Sequence, residues 1–407
     1  MTAKKTLPLF LLLLAPALHA QERTLHLAVG DPARRDETAT LVLDGVTDTR
    51  SGEVISPAEL PKRLAGVRLL LVGESHTDMD YHRCELRVLQ ELVRAGRPVL
   101  VGLEMYPYTE QRFLDQWVDG QLDEEQFLRA SRWYESWGYN WLYYRDIFLF
   151  ARDHRLRLFA VNAPRDVVTA VRKKGFKNLT PEEAAHIPAD VDTSSADHRT
   201  LFKSFFESGG DSLHSAMNDA QVDAMLAAQA TWDATMAFNA VKALQERARP
   251  ETGPETLMVV LAGSGHVVYG LGIQRQAARH FDGKIATIVP VNVRDEEGHD
   301  IKSVQASYAD FVWGLPAQTD PIYPSLGLST NPVEGEKALK VILVSEKTPA
   351  EKAGVQVGDV IVSLDGAPVP DKETLNRLVA AKRWGDDAVL VVKRGGETKE
   401  IYMALRR

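Results

Sequence analysis

The stretch RLLLVGESH, residues 68–76, contains the pattern from which the fold of this chain can be predicted. It begins with a continuous apolar run, which is typical of a strand covered on both faces, and it ends in Gly73, Glu74 and His76. Carboxylates and imidazoles are uncommon at the ends of buried strands. The stretch therefore predicts an internal strand whose carboxyl end carries groups with a chemical role.

Four further apolar runs follow, and amphipathic helical segments separate them. The runs are PVLVGLEM (98–105), LRLFAVNAP (156–164), TLMVVLAGSGH (256–266) and KIATIVPVNV (284–293), and the helical segments include 81–95, 108–117, 144–154 and 215–247. This alternation predicts an α/β domain with a mainly parallel sheet flanked by helices. Residues 176–215 have weaker periodicity and several Pro, Asp and Ser residues, and we expect them to form an insertion or lid.

Polar side chains recur where these runs end. Glu104 ends the second run, Asn162 the third, and Gly263-Ser264-Gly265-His266 the fourth. The carboxyl ends of parallel strands lie at one edge of the sheet, where ligands bind in open α/β folds. Imidazole and carboxylate groups suit zinc, iron or manganese, or a general base with its orienting acid. The sequence therefore predicts one polar site with four metal-ligating or catalytic candidates: Glu74, His76, Glu104 and His266.

The segments LLLVGESHTDMDYH, VLVGLEM, AQATWDATMA and LAGSGH resemble the ChaN-like haem-binding uptake family. That family belongs to a superfamily with the Tiki proteases, TraB and the erythromycin esterases, and the resemblance spans about residues 40–315. It implies a secreted or surface-attached protein that binds haem in iron acquisition. The superfamily implies an alternative, a metal-dependent or His/Glu general-base hydrolase. An envelope scaffold with a vestigial site is a third interpretation.

The resemblance also implies roles for further residues. Asp233 is expected either to hydrogen-bond to a histidine of the site or to be an ordinary helix-surface residue. Arg165 is a candidate partner for a propionate or another carboxylate, with an ordinary surface arginine as the favoured alternative. The expected cofactor-binding residues are His76, His82, Glu104, Asn162, Arg165, Gln229 and His266. The axial haem ligand stays open among Tyr106, Tyr108, Tyr139, Tyr143, Tyr144 and His82. The aromatic cluster from Trp133 to Tyr144 is a porphyrin surface or, as we favour, part of the core.

The C-terminal part of the chain has a different composition. After a Pro-rich linker, residues 316–324, TPAEKAGVQVGDVIVSLDGAPV (348–369) resembles the signature of bacterial PDZ domains, which implies a β-rich domain over 325–407 with one or two helices. Such a domain binds a peptide or protein C-terminus as an added strand. The expected peptide-binding residues are Ser325, Leu326, Gly327, Leu328, Leu375, Leu378 and Val379, although Leu375 with Leu378 or Val379 is equally expected in the core.

Composition and the N-terminus indicate an exported protein. Lys4 and Lys5, an apolar run and a small residue at position 20 predict a signal peptide over 1–20, with an uncleaved anchor as the alternative. We expect an N-terminal extension, residues 21–39, to follow the signal peptide. After cleavage of the signal peptide, we expect the protein to have no membrane anchor. The single cysteine, Cys84, lies in a helical pattern, so the chain has no lipid-attachment cysteine and no internal disulfide. The net charge of −8 argues against nucleic-acid binding. The expected location is the bacterial periplasm. A homodimer is one of the expected assemblies.

Overall fold

The computed structural model describes residues 24–207, 218–247, 256–295, 298–317 and 321–406, so the predicted signal peptide lies outside the described residues. Within those residues, no helix combines the length and the apolar character needed to cross a bilayer. The strands are β1 Thr38–Thr40, β2 Val46–Asp48, β3 Val54–Ile55, β4 Val67–Glu74, β5 Val99–Pro107, β6 Arg157–Asn162, β7 Leu257–Gly263, β8 Lys284–Asn292, β9 Ser303–Gln305, β10 Phe311–Leu315, β11 Leu328–Pro332, β12 Leu339–Val344, β13 Val360–Leu364, β14 Ala367–Pro368, β15 Asp387–Arg394 and β16 Glu397–Ala404.

The α-helices of the described residues lie mainly between the strands of the first domain. They are α1 Leu60–Arg63, α2 Met79–Arg94, α3 Gln111–Val118, α4 Glu124–Ala130, α5 Trp133–Ser136, α6 Arg145–Asp153, α7 Arg165–Lys174, α8 Pro181–Ala184, α9 Ala196–Glu207, α10 Asp219–Arg247, α11 Ile273–Ala277, α12 Pro349–Lys352 and α13 Lys372–Ala380. The predicted lid, residues 176–215, contributes α8 and α9 and no strand in its described part.

The described residues of the first domain form an eight-stranded sheet with the order β3-β2-β10-β8-β4-β7-β5-β6. The strands from β10 to β6 run parallel, and β2 and β3 continue the sheet as antiparallel strands at one edge. The predicted α/β class with a mainly parallel sheet is confirmed. Strand β7 lies between β4 and β5, although it follows both of them in the chain. The carboxyl ends of these three strands are therefore neighbours.

The sheet is covered on both faces. Because side chains alternate along a strand, the position of each site residue in its strand determines the face on which its side chain lies. Leu70 and Val72 of β4 pack in the core cluster that contains the apolar residues of α2, so Glu74 faces the same side. In β5, Leu100 packs in the opposite cluster with residues of α10, and Glu104 faces that side. The two carboxylates thus approach the edge of the sheet from opposite faces.

The residues that precede β1 belong structurally to the first domain. Leu25 and Val29 are buried in the cluster on the α10 face, and β1 pairs with β9 in a separate two-stranded sheet. Part of the segment expected as an N-terminal extension therefore contributes to the core.

The C-terminal domain is a β-rich unit, as predicted. Its sheet has the order β11-β12-β13-β15-β16, with β14 paired to β13, and α12 and α13 are its described helices. Helix α13 also contacts the first domain, because Asn376 Nδ2 donates to Tyr134 O at 2.7 Å and Asn140 Nδ2 donates to Ala380 O at 3.1 Å. The two domains therefore meet at the segment around α5.

Candidate functional site

The ends of β4, β7 and β5 bring three of the predicted polar residues into one cluster. His76 Nδ1 lies 2.8 Å from Glu74 Oε1, and Gly263 N donates to Glu104 Oε2 at 2.6 Å. Ligand atoms of Glu74, His76 and Glu104 lie within 4.8 Å of one another. A Cβ atom on Gly263 would lie 3.1 Å from His76 Cε1, so the absence of a side chain there allows the close approach.

His266 lies next to this cluster, and both of its ring nitrogens contact polar side chains. Its Nε2 lies 3.3 Å from Glu104 Oε1, and its Nδ1 lies 2.6 Å from Asp233 Oδ1. Gln229 Nε2 lies 2.9 Å from the same Nδ1 atom. All four residues are buried, and Gln229 and Asp233 reach the site from one face of α10. The structure thus places Asp233 against His266.

Electrostatics make the His266–Glu104 contact an ion pair. Burial lowers the pKa of His266, but the charges of Glu104 and Asp233 outweigh burial and raise this pKa to about 10. Burial raises the pKa of Glu104, but the charge of His266 and its hydrogen bond outweigh burial and lower this pKa to about 2. Burial also lowers the pKa of His76, yet Glu74 outweighs it, so that the pKa of His76 is raised overall.

The aromatic segment contributes to both the core and the site. Most of its rings are buried, as favoured from the sequence: Trp133, Tyr134, Trp141, Tyr143 and Tyr144. Trp137 and Tyr139 are half-buried instead, and their ring centroids lie 4.9 Å and 4.8 Å from that of His76. These two rings form an apolar wall beside His76.

The remaining predicted residues lie around this cluster. Asn162 Nδ2 donates to Glu104 O at 2.9 Å and so ties the end of β6 to β5. Arg165, the first residue of α7, is exposed. His82 is buried in the core behind Glu74, with Nδ1 2.9 Å from Glu85 Oε2. Little of the His82 side chain is therefore accessible to a haem, and its expected haem contact stays a prediction.

The candidate tyrosines differ in accessibility. Tyr106, Tyr143 and Tyr144 are buried, and Tyr144 Oη donates to Glu74 Oε1 at 3.2 Å. Little of these three side chains is accessible to a haem, and the choice among the candidate haem ligands stays a prediction. Tyr108 is half-buried immediately after β5, and its Oη lies 2.7 Å from His186 Nδ1.

Three residues near the site were not among the predictions from the sequence: Glu85, His186 and His198. His198 is buried on α9, with Nε2 3.7 Å from Asp233 Oδ2. A signal for it exists, because His198 shares the apolar face of α9 with Leu201 and Phe202 at helical spacing. Glu85 follows His82 at a spacing of three residues on α2, which is also a detectable pattern.

The predicted peptide site divides between core and surface. Leu326 and Leu375 are buried in the C-terminal core, whereas Leu328, Leu378 and Val379 are only partly buried against it. Ser325 is exposed. Gly327 has φ +76°, and a Cβ atom there would overlap the side chain of Thr348, so the loop requires glycine. Strand β11 is at the end of the sheet order, which leaves one of its edges without a partner strand among the described residues.

Comparison with known proteins defines the class of both domains. The model of the family "Haem-binding uptake, Tiki superfamily, ChaN" matches residues 60–276, and a PDZ domain model matches residues 324–405. The chain belongs to the ChaN haem-binding uptake family of the Tiki superfamily and carries a C-terminal PDZ domain.

Individual relatives match one domain each. A solved structure described as cofacial haem binding to ChaN of Campylobacter jejuni is 18% identical, with a TM-score of 0.49, over 66% of this chain and 95% of that chain. A probable periplasmic serine endoprotease, DegP-like, of Rhizobium meliloti is 39% identical over 87 residues, which are 21% of this chain and 16% of the relative. The HtrA3 PDZ domain bound to a phage-derived ligand is 23% identical, with a TM-score of 0.18, over 20% of this chain and 82% of that chain. The similarity to the endoprotease is thus confined to the PDZ region.

Proposed function

We propose that this protein is an exported haem-binding protein whose PDZ domain recruits a peptide or protein C-terminus in the cell envelope. Membership of the ChaN family supports the first part. The observation that carries it is the contact of 2.7 Å between Tyr108 Oη and His186 Nδ1 at the carboxyl edge of the sheet. Both side chains are only half-buried, so a ligand from solvent can reach Tyr108.

The chemistry of these residues fits haem. Tyrosine is one of the side chains that hold haem iron, and a phenol binds iron best after losing its proton. His186 Nδ1 is placed to accept that proton from Tyr108. Arg165, at the start of α7, offers a guanidinium to a propionate. The histidines beside Glu74 and Glu104 already contact carboxylates, through Nδ1 of His76 and both ring nitrogens of His266, so we propose haem at Tyr108 instead.

We expect Tyr108→Phe to weaken haemin binding at least tenfold, because the phenolic oxygen is lost while the ring remains. The measurement is a haemin titration of the mature protein followed at the Soret band. Tyr402→Phe is the matched control, since Tyr402 is exposed in the C-terminal domain and its Oη contacts only Glu400 among the residues described. Equal affinities of wild type and Tyr108→Phe, or no Soret band at all, would contradict the assignment.

The proposed peptide site lies along β11. A peptide can add as a strand to the unpartnered edge of β11, with its carboxylate at the loop of Ser325 to Gly327. The partly buried side chains of Leu328, Leu378 and Val379 offer an apolar surface to the terminal side chain of such a peptide.

Gly327→Ala is expected to weaken binding of a fluorescent decapeptide ending in valine at least tenfold, because the added Cβ atom would overlap Thr348 and displace the loop. Gly335→Ala is the matched control: Gly335 has the same φ of +76°, but a Cβ atom added there would have no other atom within 4 Å. Fluorescence anisotropy measures both affinities. A similar loss in the two variants would indicate backbone strain rather than a displaced loop and would remove this assignment.

A second function, metal-dependent hydrolysis, is favoured by a separate cluster at the strand ends, formed by Glu74, His76 and Glu104. Ligand atoms of Glu74, His76 and Glu104 converge within 4.8 Å, and two carboxylates with an imidazole suit zinc, manganese or iron. A bound ion would supply Lewis-acid activation of a water or carbonyl. Without an ion, Glu74 would orient His76 as a general base through the 2.8 Å contact. The metal content of the purified protein distinguishes the metal-dependent case from the general-base case. If a metal ion is bound, His76→Ala should lower the metal content.

A further inference from the structure

A second group of ligating atoms lies in the core behind His76. His82 Nδ1 is 2.9 Å from Glu85 Oε2 and 3.1 Å from Glu74 Oε2. The three residues are buried, with 2% of His82, none of Glu85 and 3% of Glu74 exposed. Ligand atoms from all three lie within 4.8 Å of one another. Nothing in the proposed haem or peptide sites uses this group.

The backbone of α2 and the end of β4 fix the orientation of the group. His82 and Glu85 are three residues apart on α2, so they share the helix face that packs against β4. His82 Nε2 lies 3.4 Å from His76 O, which positions the Nε2 proton toward that carbonyl. With that tautomer, the lone pair of Nδ1 points at two carboxylate oxygens, and three acceptors converge.

Two buried oxygens in this group have no hydrogen-bond partner, Glu74 Oε2 and Glu85 Oε1. A buried carboxylate oxygen without a partner is costly, and native structures contain few of them. With the proton of His82 on Nε2, no proton lies between Nδ1 and either carboxylate oxygen. A divalent ion bound at about 2.1 Å to each ligand would contact all three, and adjacent ligands of an octahedral ion lie about 3 Å apart. The distances of 2.9 Å and 3.1 Å match that spacing.

We propose that Glu74, His82 and Glu85 hold a second divalent transition-metal ion, adjacent to the ion proposed at Glu74, His76 and Glu104. Glu74 bridges the two positions, because Oε1 faces His76 Nδ1 at 2.8 Å and Oε2 faces His82 Nδ1 at 3.1 Å. A shared carboxylate is a common bridge between ions about 3.5–4 Å apart. This inference rests on the metal site of the second proposed function and is independent of haem binding.

The inner position differs from the outer one in its access to solvent. The ring of Tyr144 lies over His82, with a centroid distance of 4.3 Å, and both residues are buried. His76, in contrast, keeps 16% of its side chain exposed. The inner ion is therefore closed to substrates, and its role is to hold Glu74 and to add positive charge behind the outer ion.

The test counts ions in the full mature protein. The protein is stripped with a chelator, titrated with Mn²⁺ alone and freed of unbound ion, and the bound manganese is measured by mass spectrometry and by electron paramagnetic resonance. We expect two Mn²⁺ per chain with a spin-coupled spectrum for the wild type. Glu85→Gln should retain one uncoupled ion, and His76→Ala should also retain one. Glu91→Gln, which removes another buried carboxylate of α2 that pairs with Arg87 and Arg94, should retain two.

The outcomes separate this inference from the function on which it rests. A different result would be one Mn²⁺ in the wild type, which Glu85→Gln retains and His76→Ala loses. That result would overturn the inner site and support the outer one. No bound Mn²⁺ would overturn both, while the haemin titration would be unaffected. Two ions without spin coupling would overturn the bridge through Glu74. If Glu85→Gln does not fold, His82→Gln replaces it. The number of Mn²⁺ ions bound by the wild type and the spin coupling between them still test the inner site.

Discussion

His266→Ala is expected to destabilise the first domain by about 3–5 kcal/mol, because removing one member of a buried ion pair leaves its partners charged and unpaired. Here the partners are Glu104 and Asp233, which lie 3.3 Å and 2.6 Å from the ring nitrogens of His266. Urea unfolding followed by tryptophan fluorescence measures the loss. His280→Ala is the control, since His280 is largely exposed and pairs with Asp190 at the surface. Its effect should stay below about 1 kcal/mol.

The difference between wild type and His266→Ala should depend on pH in a defined direction. The folded pKa of His266, about 10, is above its reference value of 6.5, so its contribution is complete below pH 6.5 and is lost as pH rises toward 10. The folded pKa of Glu104, about 2, is below its reference value of 4.5, so its contribution is complete above pH 4.5 and is lost as pH falls toward 2. The difference should therefore be largest between pH 4.5 and 6.5. A difference that is the same from pH 3 to pH 9 would contradict the ion pair.

Trp133→Ala should cost about 3–5 kcal/mol, the usual range for deleting a large buried aromatic side chain. Trp133 is fully buried, and its ring centroid lies 5.0 Å from that of Trp141 and 5.3 Å from that of Tyr144. Its Nε1 also donates to Tyr139 O at 2.8 Å. The substitution therefore removes both core packing and the anchor of the wall beside His76.

Two measurements check the Trp133 prediction. Urea unfolding should show the loss of stability, and NMR of the histidine rings should show a changed environment for His76. Phe238→Ala is the control, because Phe238 is an aromatic residue of the same domain with 52% of its surface exposed. A loss below about 1 kcal/mol for Trp133→Ala, or equal losses in the two variants, would show that this cluster does not carry the stability assigned to it.

The sequence was sufficient to predict the parallel sheet because its strands are continuous apolar runs that end in recognisable polar groups. Glu74, Glu104 and His266 could be assigned to one edge for the same reason, since parallel strands place their ends together. The order of the strands could not be read from these runs. Periodicity identifies the faces of a strand but contains no information on its neighbours.

Other contacts were not predictable because they depend on the path of loops and helices. His186 lies in the predicted lid, and only the folded chain shows that it contacts Tyr108. Which histidine Asp233 contacts depends on where α10 crosses the end of β7, and in the folded chain it is His266. The burial of His82 follows from the face of α2 that packs against β4, and this face is visible in the sequence only after the partner strand is known.

The central position of β7 has a consequence for how this domain acquires its structure. Its two neighbours, β4 and β5, are complete long before Leu257–Gly263 enters the chain, so the middle of the sheet has to wait for a distant segment. Contacts between residues so far apart carry a large entropic cost of loop closure and slow the folding of a domain. We expect insertion of this strand to be the late, rate-limiting event. Ligand affinity should then report the completion of folding, since the strand-end site is complete only when β7 has paired with β4 and β5.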